Sequence, residues 1–286
     1  IYNTTMTNFN LKNLLKLFIT ASWFLFANLS TAQNFRILVT NDDGIDSPLL
    51  ISLAQALNKL SDIEVIVSAP SENQSGSSHS SIGGPLTVRQ TNIEGVTEAY
   101  SVGGRPADAV RFGLSQLGKG QDFDLVVSGI NRGANVGNVS HLSGTVGAAM
   151  EAVFQGVPAI AVSQEINGVD TASSTQFVTE LVARYMVDQI QEGTIISVNI
   201  PAGQHKGIAI RPMGDSYLDT TNYELISESD SGQMYKRNIA LQVSENDETD
   251  TFAYQHGYIT VTPLKFDWTS YESLEQIRGW NLELRN

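Results

Sequence analysis

The stretch Phe35-Arg-Ile-Leu-Val-Thr-Asn-Asp-Asp-Gly44 decides the fold. Residues 35–40 form a short apolar run that ends in a polar turn, which is typical of a buried β-strand. Ser47 and Pro48 follow as a candidate N-cap and first helical residue, and apolar residues then recur at helical spacing to residue 60. The stretch therefore predicts a strand, a polar turn and a helix in direct succession.

The same alternation continues along the chain. Further strands are predicted at residues 64–69, 125–128, 159–163 and 195–200. Further helices are predicted at residues 106–117, 144–155 and 175–191. This pattern favours an α/β fold with a mainly parallel sheet and helices on both of its faces. Ligands of such folds bind outside the carboxyl ends of the strands, so the segments that directly follow the strands are the candidate site.

The sequence changes character after Pro201, where it becomes polar and acidic. Short strands are predicted there at residues 207–211, 236–243 and 258–263. An acidic loop, residues 245–250, precedes the last of them, and we expect it to be solvated or to border a partner subunit's site. We expect residues 33–201 to form the catalytic α/β domain and residues 202–286 to form a β arm and tail that complete the same domain.

The N-terminal segment has the pattern of a secretory signal. Lys12 and Lys16 precede an apolar run at residues 17–29, and the small residues Ser30-Thr-Ala32 follow. We therefore expect residues 1–32 to be a signal peptide and the protein to be exported to the periplasm or the extracellular space. The run is short for a bilayer span, so no span is expected after cleavage; the alternative is an uncleaved membrane anchor.

Composition excludes several classes of function. The chain has 286 residues with 17 Lys and Arg against 30 Asp and Glu, a formal net charge of −13. This balance argues against a surface for a nucleic-acid polymer or an anionic membrane. It still permits a small anionic substrate, because a bound divalent cation reverses the local field. The absence of cysteine excludes disulfides, zinc–thiolate sites and a cysteine nucleophile.

Two adjacent carboxylates, Asp42 and Asp43, lie at the end of the first predicted strand. Buried carboxylates that are side by side repel each other, and a cation offsets both charges. Hard divalent ions such as Mg²⁺ and Mn²⁺ bind carboxylate, hydroxyl and amide oxygens. The alternative is an ordinary turn that leads into the helix, since Asn-Asp-Asp-Gly is favourable turn sequence.

Two further segments follow strands and carry suitable groups. Ser75-Gly76 can supply a hydroxyl ligand and backbone N–H groups for a phosphate, although a plain flexible loop is the alternative. Residues 128–149 pass through a loop rich in Gly and Asn and enter a helix at Ser143-Gly-Thr145. Free N–H groups at a helix N-terminus bind phosphate, and the alternative is an ordinary loop with an N-cap. His141 in this loop either faces the substrate or is exposed at the helix entry.

Several other motifs are absent. The sequence has no Gly-x-Gly-x-x-Gly after a strand and no Walker Gly-Lys-Ser/Thr, so dinucleotide and P-loop sites have no support. The carboxylates are adjacent, unlike those of the Asp-x-Asp-Gly motif of aspartyl-phosphate phosphatases. The four histidines have no metal-ligand spacing.

Together these segments resemble the SurE family, the survival-protein 5′-nucleotidases, over about residues 35–269. The matching stretches are residues 36–44, 69–76, 127–137, 143–146, 156–163 and 257–263. The resemblance implies a Rossmann-like domain with a C-terminal β arm exchanged between subunits, in a homodimer or a tetramer. The chain departs from the family at Leu142, where members often have an aromatic residue, and matches only loosely at residues 103–108.

The resemblance also implies an activity, that of a divalent-metal-dependent phosphatase acting on nucleoside monophosphates. It implies one Mg²⁺ or Mn²⁺ ion and these metal ligands: Asp42, Asp43, Ser75 and Asn131. It implies a phosphate cradle formed by Gly76, Asn135, Ser143, Gly144 and Thr145. Asp42 and Asp43 are the predicted catalytic residues: one of them, with Asp42 favoured, would orient or deprotonate the attacking water, and the alternative is that both only bind the metal. The alternatives are a broad-specificity exported phosphomonoesterase and a non-catalytic periplasmic phosphate- or nucleotide-binding protein.

Overall fold

The computed structural model of the protein describes residues 34–215, 217–280 and 282–284. The predicted signal peptide, residues 1–32, lies outside them. The strands are β1 Phe35–Thr40, β2 Ile63–Pro70, β3 Val88–Thr91, β4 Glu98–Val102, β5 Leu125–Arg132, β6 Ala159–Gln164, β7 Thr194–Ile200, β8 Ile208–Ile210, β9 Leu218–Ser229, β10 Gly232–Leu241 and β11 Ile259–Lys265. The α-helices are α1 Pro48–Leu57, α2 Pro106–Phe112, α3 Gly144–Phe154, α4 Thr171–Val187, α5 Asp250–Gln255 and α6 Tyr271–Arg278.

Nine of these strands form one sheet in the order β3-β4-β2-β1-β5-β6-β7-β11-β8. The six strands from β4 to β7 in this order run parallel to their neighbours. Near the edges, β3 pairs antiparallel with β4, and β11 pairs antiparallel with β7. The prediction of a mainly parallel α/β sheet is therefore confirmed.

The central strands are apolar because helices cover both faces of the sheet. On β1, Ile37 and Val39 belong to one core cluster, whereas Leu38 belongs to the other. Helices α1 and α4 contribute to the first cluster, and α2 and α3 contribute to the second. Alternate side chains of the same strand are buried on opposite faces, which produces the continuous apolar run seen in the sequence.

The C-terminal region is divided differently from the expectation. Strands β8 and β11 join the main sheet, while β9 and β10 form a separate antiparallel hairpin. The segment that stands apart from the sheet is therefore Leu218–Leu241 rather than everything after residue 201. The acidic loop leads into α5, with Thr249 as its N-cap. Helix α4 begins at Thr171, four residues before the predicted start, because the Asp170 side chain caps it.

The hairpin of β9 and β10, called the arm below, exposes apolar side chains along its length. Exposed large apolar residues on the arm are Tyr223, Leu225, Ile226, Met234, Tyr235, Ile239 and Leu241. Helix α6 likewise has no buried residue. None of the helices in the described ranges is long and apolar enough to cross a membrane.

Candidate active site

The first three candidate segments meet because β2, β1 and β5 are neighbours in the sheet. The strands are parallel, so the segments that follow them leave the sheet at the same edge. The last residue of β1, Thr40, is directly opposite Ser128 of β5. The turn with the paired aspartates therefore lies between the loop after β2 and the loop after β5.

Asn41 closes the turn that follows β1. Its side-chain nitrogen donates to the carbonyl oxygen of Gly44 at 2.9 Å, and its side-chain oxygen accepts from the Gly44 N–H at 3.1 Å. Gly44 has a φ of +104°, a conformation that glycine adopts without strain. The turn is thus held by Asn41, and both aspartates remain available for other contacts.

Asp42 is 3% exposed and faces the start of α3. One of its carboxylate oxygens accepts a hydrogen bond of 2.5 Å from the Thr145 hydroxyl. Burial raises the pKa of Asp42 to about 6, although the hydrogen bond from Thr145 acts in the opposite direction. The neighbouring charge of Asp43 also contributes to this raised pKa. The fold therefore holds a carboxylate where its negative charge is unfavourable without a cation.

Asp43 joins the other two loops. One carboxylate oxygen accepts from the backbone N–H of Arg132 at 3.0 Å, and the other accepts from the Asn73 side chain at 3.3 Å. Burial raises the pKa of Asp43, while Arg132 lowers it. None of the ion pairs between described residues includes either aspartate. Apart from the charge of Arg132, which acts on Asp43 without forming an ion pair, no cationic side chain among the described residues balances the two adjacent carboxylates.

Ser75 and Asn131 lie on these same two loops. Asn73 joins Ser75 to Asp43, because its side-chain oxygen accepts from the Ser75 N–H at 3.0 Å while its side-chain nitrogen donates to Asp43. Asn131 is 8% exposed, and its side-chain nitrogen donates to the Gly133 carbonyl at 2.6 Å. With that nitrogen engaged, a cation would bind the amide oxygen of Asn131. The structure thus brings Ser75 and Asn131 to the loops that contact Asp43.

The residues at this edge fit a hard divalent cation. No group of three or more His, Cys, Asp or Glu able to hold a metal occurs within the described residues, so neutral ligands would have to complete the site. Asp42, Asp43, Ser75 and Asn131 offer carboxylate, hydroxyl and amide oxygens, which Mg²⁺ and Mn²⁺ prefer. The structural observation that supports this fit is that Asp42 is buried, Asp43 is half-buried, and neither is in an ion pair with a described side chain.

The N-terminus of α3 approaches the aspartates closely at Gly144. A Cβ atom on Gly144 would lie 2.6 Å from the Ser77 hydroxyl and 2.8 Å from the Cβ of Asp42, so any larger residue would collide. The Ser143 side chain accepts from the Val146 N–H at 3.1 Å and thus acts as the N-cap. The Thr145 hydroxyl is bound to Asp42. The backbone N–H groups at the helix start are therefore the groups suited to a phosphate.

The other predicted cradle residues are placed differently. Gly76 is exposed on the loop after β2. Asn135 is buried, and its hydrogen bonds go to the ends of β6 and β7: its side-chain nitrogen donates to Ser163 at 2.8 Å, and its backbone N–H donates to Asn199 at 2.7 Å. His141 is exposed, with its ring 6.0 Å from that of Trp268. Phosphate binding by Gly76 and Asn135 stays a prediction.

A network around Glu151 was not predicted from the sequence. Glu151 lies on α3 with its side chain 1% exposed, and it accepts hydrogen bonds from His79 at 2.8 Å and Arg111 at 2.9 and 3.1 Å. Burial alone would raise its pKa, but the bonds from His79, Arg111 and Gln155 outweigh burial and lower it to about 2. Through His79, this network fixes the loop that carries Ser75.

Asp250 is a second residue that sequence reasoning missed. Its two carboxylate oxygens accept from the backbone N–H groups of Gly137 at 3.1 Å and Gly214 at 2.7 Å. Asp250 therefore ties the loop after β5 to the segment before the arm. The pair Thr249-Asp250 at a helix start was a possible signal, but no local pattern indicates partners that lie 113 and 36 positions away.

The fold and the site together define a class: a parallel α/β protein with paired carboxylates and a helix N-terminus at the carboxyl edge of the sheet, suited to a divalent cation and a phosphate ester. Comparison with known protein families supports this class. The model of the family described as Survival protein SurE matches residues 37–220. The chain belongs to the SurE family, as its motifs predicted.

Known relatives match over most of their length. The 5′-nucleotidase SurE of Clostridium botulinum (strain Eklund 17B / Type B) is 37% identical over 251 residues, which cover 85% of this chain and 98% of that protein. The 5′-nucleotidase SurE of Clostridium beijerinckii is 35% identical, with coverages of 84% and 97%. The crystal structure of the SurE protein from Aquifex aeolicus superposes with a TM-score of 0.74 at 31% identity, covering 86% of this chain and 100% of that one. The relatives carry the name of the enzyme class that the motifs predicted.

Proposed function

We propose that this protein is a divalent-metal-dependent phosphatase that hydrolyses nucleoside monophosphates to nucleoside and phosphate. The observation that carries the proposal is the pair Asp42 and Asp43: Asp42 is buried, Asp43 is half-buried, both pKa values are raised, and neither carboxylate is in an ion pair with a described side chain. The names of the SurE relatives support the choice of nucleoside monophosphates as substrates. One Mg²⁺ or Mn²⁺ ion is the proposed cofactor.

Each group of residues has a proposed role. Asp42, Asp43, Ser75 and Asn131 would hold the ion, which when bound supplies charge neutralisation at the phosphoryl group and lowers the pKa of a coordinated water. The N–H groups at the start of α3 would bind phosphoryl oxygens and stabilise charge that develops on them. Asp42, held by Thr145, would orient the attacking water or accept its proton.

A phosphate-release assay tests the activity. Purified protein should release inorganic phosphate from AMP, GMP, CMP or UMP with Mg²⁺ or Mn²⁺, and EDTA should abolish the release. Equal or greater turnover of sugar phosphates or p-nitrophenyl phosphate would instead indicate a broad phosphomonoesterase. Tight nucleotide binding without any phosphate release would indicate a binding protein, and turnover that survives EDTA would contradict the metal site.

We further propose export and subunit exchange. The segment at residues 1–32 supports secretion with cleavage after Ala32, which mass spectrometry of the N-terminus in the periplasmic or extracellular fraction would test.

The apolar surface of the arm supports its exchange between two subunits, since exposed apolar surface of this extent marks an interaction site. A homodimer, or a tetramer built from dimers, would be measured by light scattering.

A further inference from the structure

A cleft of about 490 Å³ opens beside Asp43 on the α/β body. It lies between the starts of α1 and α4, which contribute Ser47 and Thr171 to its wall. Four apolar side chains also line it, from Pro48, Leu49, Ile166 and Val169. The cleft is therefore a partly apolar space that directly adjoins a proposed metal ligand.

Gln164 is the buried polar residue in the wall of this cleft. It is the last residue of β6, directly opposite Arg132 of β5, and it is 5% exposed. Its side-chain nitrogen donates to the Thr171 hydroxyl at 3.4 Å, whereas its side-chain oxygen is buried and has no hydrogen-bond partner within the described residues. A buried acceptor without a donor is unfavourable, so a ligand N–H at this place would be stabilising.

Arg132 completes the cleft. Its backbone N–H is fixed by Asp43, and its exposed side chain is part of the same wall. A guanidinium group stacks favourably on a flat aromatic ring, and apolar side chains pack against the rest of such a ring. The chemistry of the wall thus suits a planar heterocycle that carries N–H donors.

We infer that this cleft binds the base of the leaving nucleoside and that Gln164 is a specificity-determining residue that accepts a hydrogen bond from the base. The inference rests on the proposed nucleotidase function. The leaving group is bonded to the reacting phosphorus through one ester oxygen, so it must lie beside the aspartates. Asp43 lines this cleft, so a nucleoside bound in it would lie beside the aspartates.

A second groove also adjoins the site and is the rival location. Its volume is about 820 Å³, and it is bordered by Ser75 and Gly76 on one side and by arm residues such as Arg237 and Ile239 on the other. Within the described residues, none of its lining side chains has a buried polar atom without a partner. Its wall would also change if the arm is exchanged between subunits. The cleft at Gln164 belongs wholly to the α/β body.

The test compares Gln164→Leu with the matched variant Gln242→Leu, which makes the same chemical change in the rival groove. The kcat/KM would be measured for AMP and for ribose 5-phosphate, which lacks the base. For Gln164→Leu, the kcat/KM for AMP divided by that for ribose 5-phosphate should fall about tenfold or more. For Gln242→Leu, this ratio should change little. Loss of one hydrogen bond to a base corresponds to a change of this size.

Equilibrium binding of adenosine, guanosine, cytidine and uridine by calorimetry gives a readout that needs no turnover. Gln164→Leu should weaken at least one nucleoside about tenfold while Gln242→Leu does not. Equal losses for AMP and ribose 5-phosphate with unchanged nucleoside binding, or a base effect confined to Gln242→Leu, would overturn the inference. Nucleoside binding that depends on Gln164 in a protein that releases no phosphate would overturn the proposed function and leave the cleft assignment standing.

Discussion

The carboxyl edge of the sheet and the arm depart from the usual distribution of side chains in opposite directions. At the edge, polar residues such as Asn41 and Asp42 are buried, at 0% and 3% exposure. On the arm, apolar residues such as Leu225 and Tyr235 are about half exposed, at 46% and 53%. Buried polar groups and exposed apolar patches are the informative exceptions in a folded protein. The buried polar residues at the edge therefore support the proposed ligand site, and the exposed apolar residues of the arm support the proposed protein partner.

The two regions also differ in what supports them. The edge is held by hydrogen bonds from α3 and β5 to the turn after β1, such as Thr145 to Asp42 and Arg132 to Asp43. The arm forms its own two-stranded sheet. An isolated two-stranded hairpin is marginally stable in water, so the arm needs further contacts. Substitutions at the edge should therefore affect chemistry, and substitutions on the arm should affect assembly.

The largest expected effect follows from Asp43→Asn. The variant keeps the volume and one acceptor oxygen but loses the charge, so metal-dependent kcat/KM should fall by about 10³-fold, or about 4 kcal/mol. Without metal, its melting temperature should equal or exceed that of the wild type, because two adjacent carboxylates repel each other. The rise in melting temperature on adding Mn²⁺ should disappear.

Asp46→Asn is the control for this variant, because Asp46 is an exposed carboxylate on the same turn. It should keep both the activity and the stabilisation by Mn²⁺. If Asp43→Asn keeps full activity, or if both variants lose the same amount, the edge has no metal site and its contrast with the arm disappears.

A smaller effect on activity is expected from the arm variant Leu225→Lys with Tyr235→Lys. The two residues are directly opposite each other on β9 and β10, so their side chains share one face. Charged residues there should disfavour the proposed apolar contact between subunits, and light scattering should then show a lower mass. We expect kcat/KM to change only a few-fold, since the aspartates and the start of α3 lie outside the arm.

Val187→Lys provides the matched control on the body, because Val187 is 75% exposed on α4. This variant should retain the oligomeric state of the wild type. An unchanged mass for the arm variant would contradict the role of the arm in assembly. A loss of activity as large as that of Asp43→Asn would show that the arm belongs to the catalytic site.

The sequence predicted those parts of the fold whose pattern is local. The strand β1 and the start of α1 at Pro48 agree with the structure, because a buried parallel strand is continuously apolar and Ser-Pro is a strong helix start. Strands β3, β4 and β9 were missed. The residues of β3 and β9 are mostly polar or exposed, since β3 is an edge strand and β9 lies in the arm, and β4 has only Ala99 and Val102 buried. All three therefore lack the apolar run that predicted the other strands.

The candidate site shows the same division. The three segments that meet at the edge were predicted, because each directly follows a strand and parallel strands end together. The bonds that arrange them join residues far apart in sequence. Asp42 and Thr145 are separated by 103 positions, and His79 and Glu151 by 72. Such pairs depend on how α3 packs against the sheet, which no local pattern specifies.

The smallest expected effect concerns the support of the edge by Glu151. The folded-state pKa of Glu151 is lowered to about 2 from the ordinary value of 4.5, because the hydrogen bonds from His79, Arg111 and Gln155 outweigh its burial. A lowered pKa contributes stability that is present above pH 4.5 and is lost as the pH falls towards 2. Glu151→Gln removes the charge and keeps the volume, so its free energy of unfolding at neutral pH should be about 1–3 kcal/mol below that of the wild type.

The pH dependence separates this role from a general loss of packing. Urea unfolding at about pH 5 and about pH 3 should show the difference between Glu151→Gln and the wild type becoming smaller at the lower pH, since only the wild type loses a favourable charge there. Glu180→Gln, an exposed change on α4, should show no such trend. A difference that stays constant between the two pH values would mean that the ionisation of Glu151 does not contribute to stability in this range. The fixation of the Ser75 loop by His79 would then have to come from contacts other than the carboxylate of Glu151.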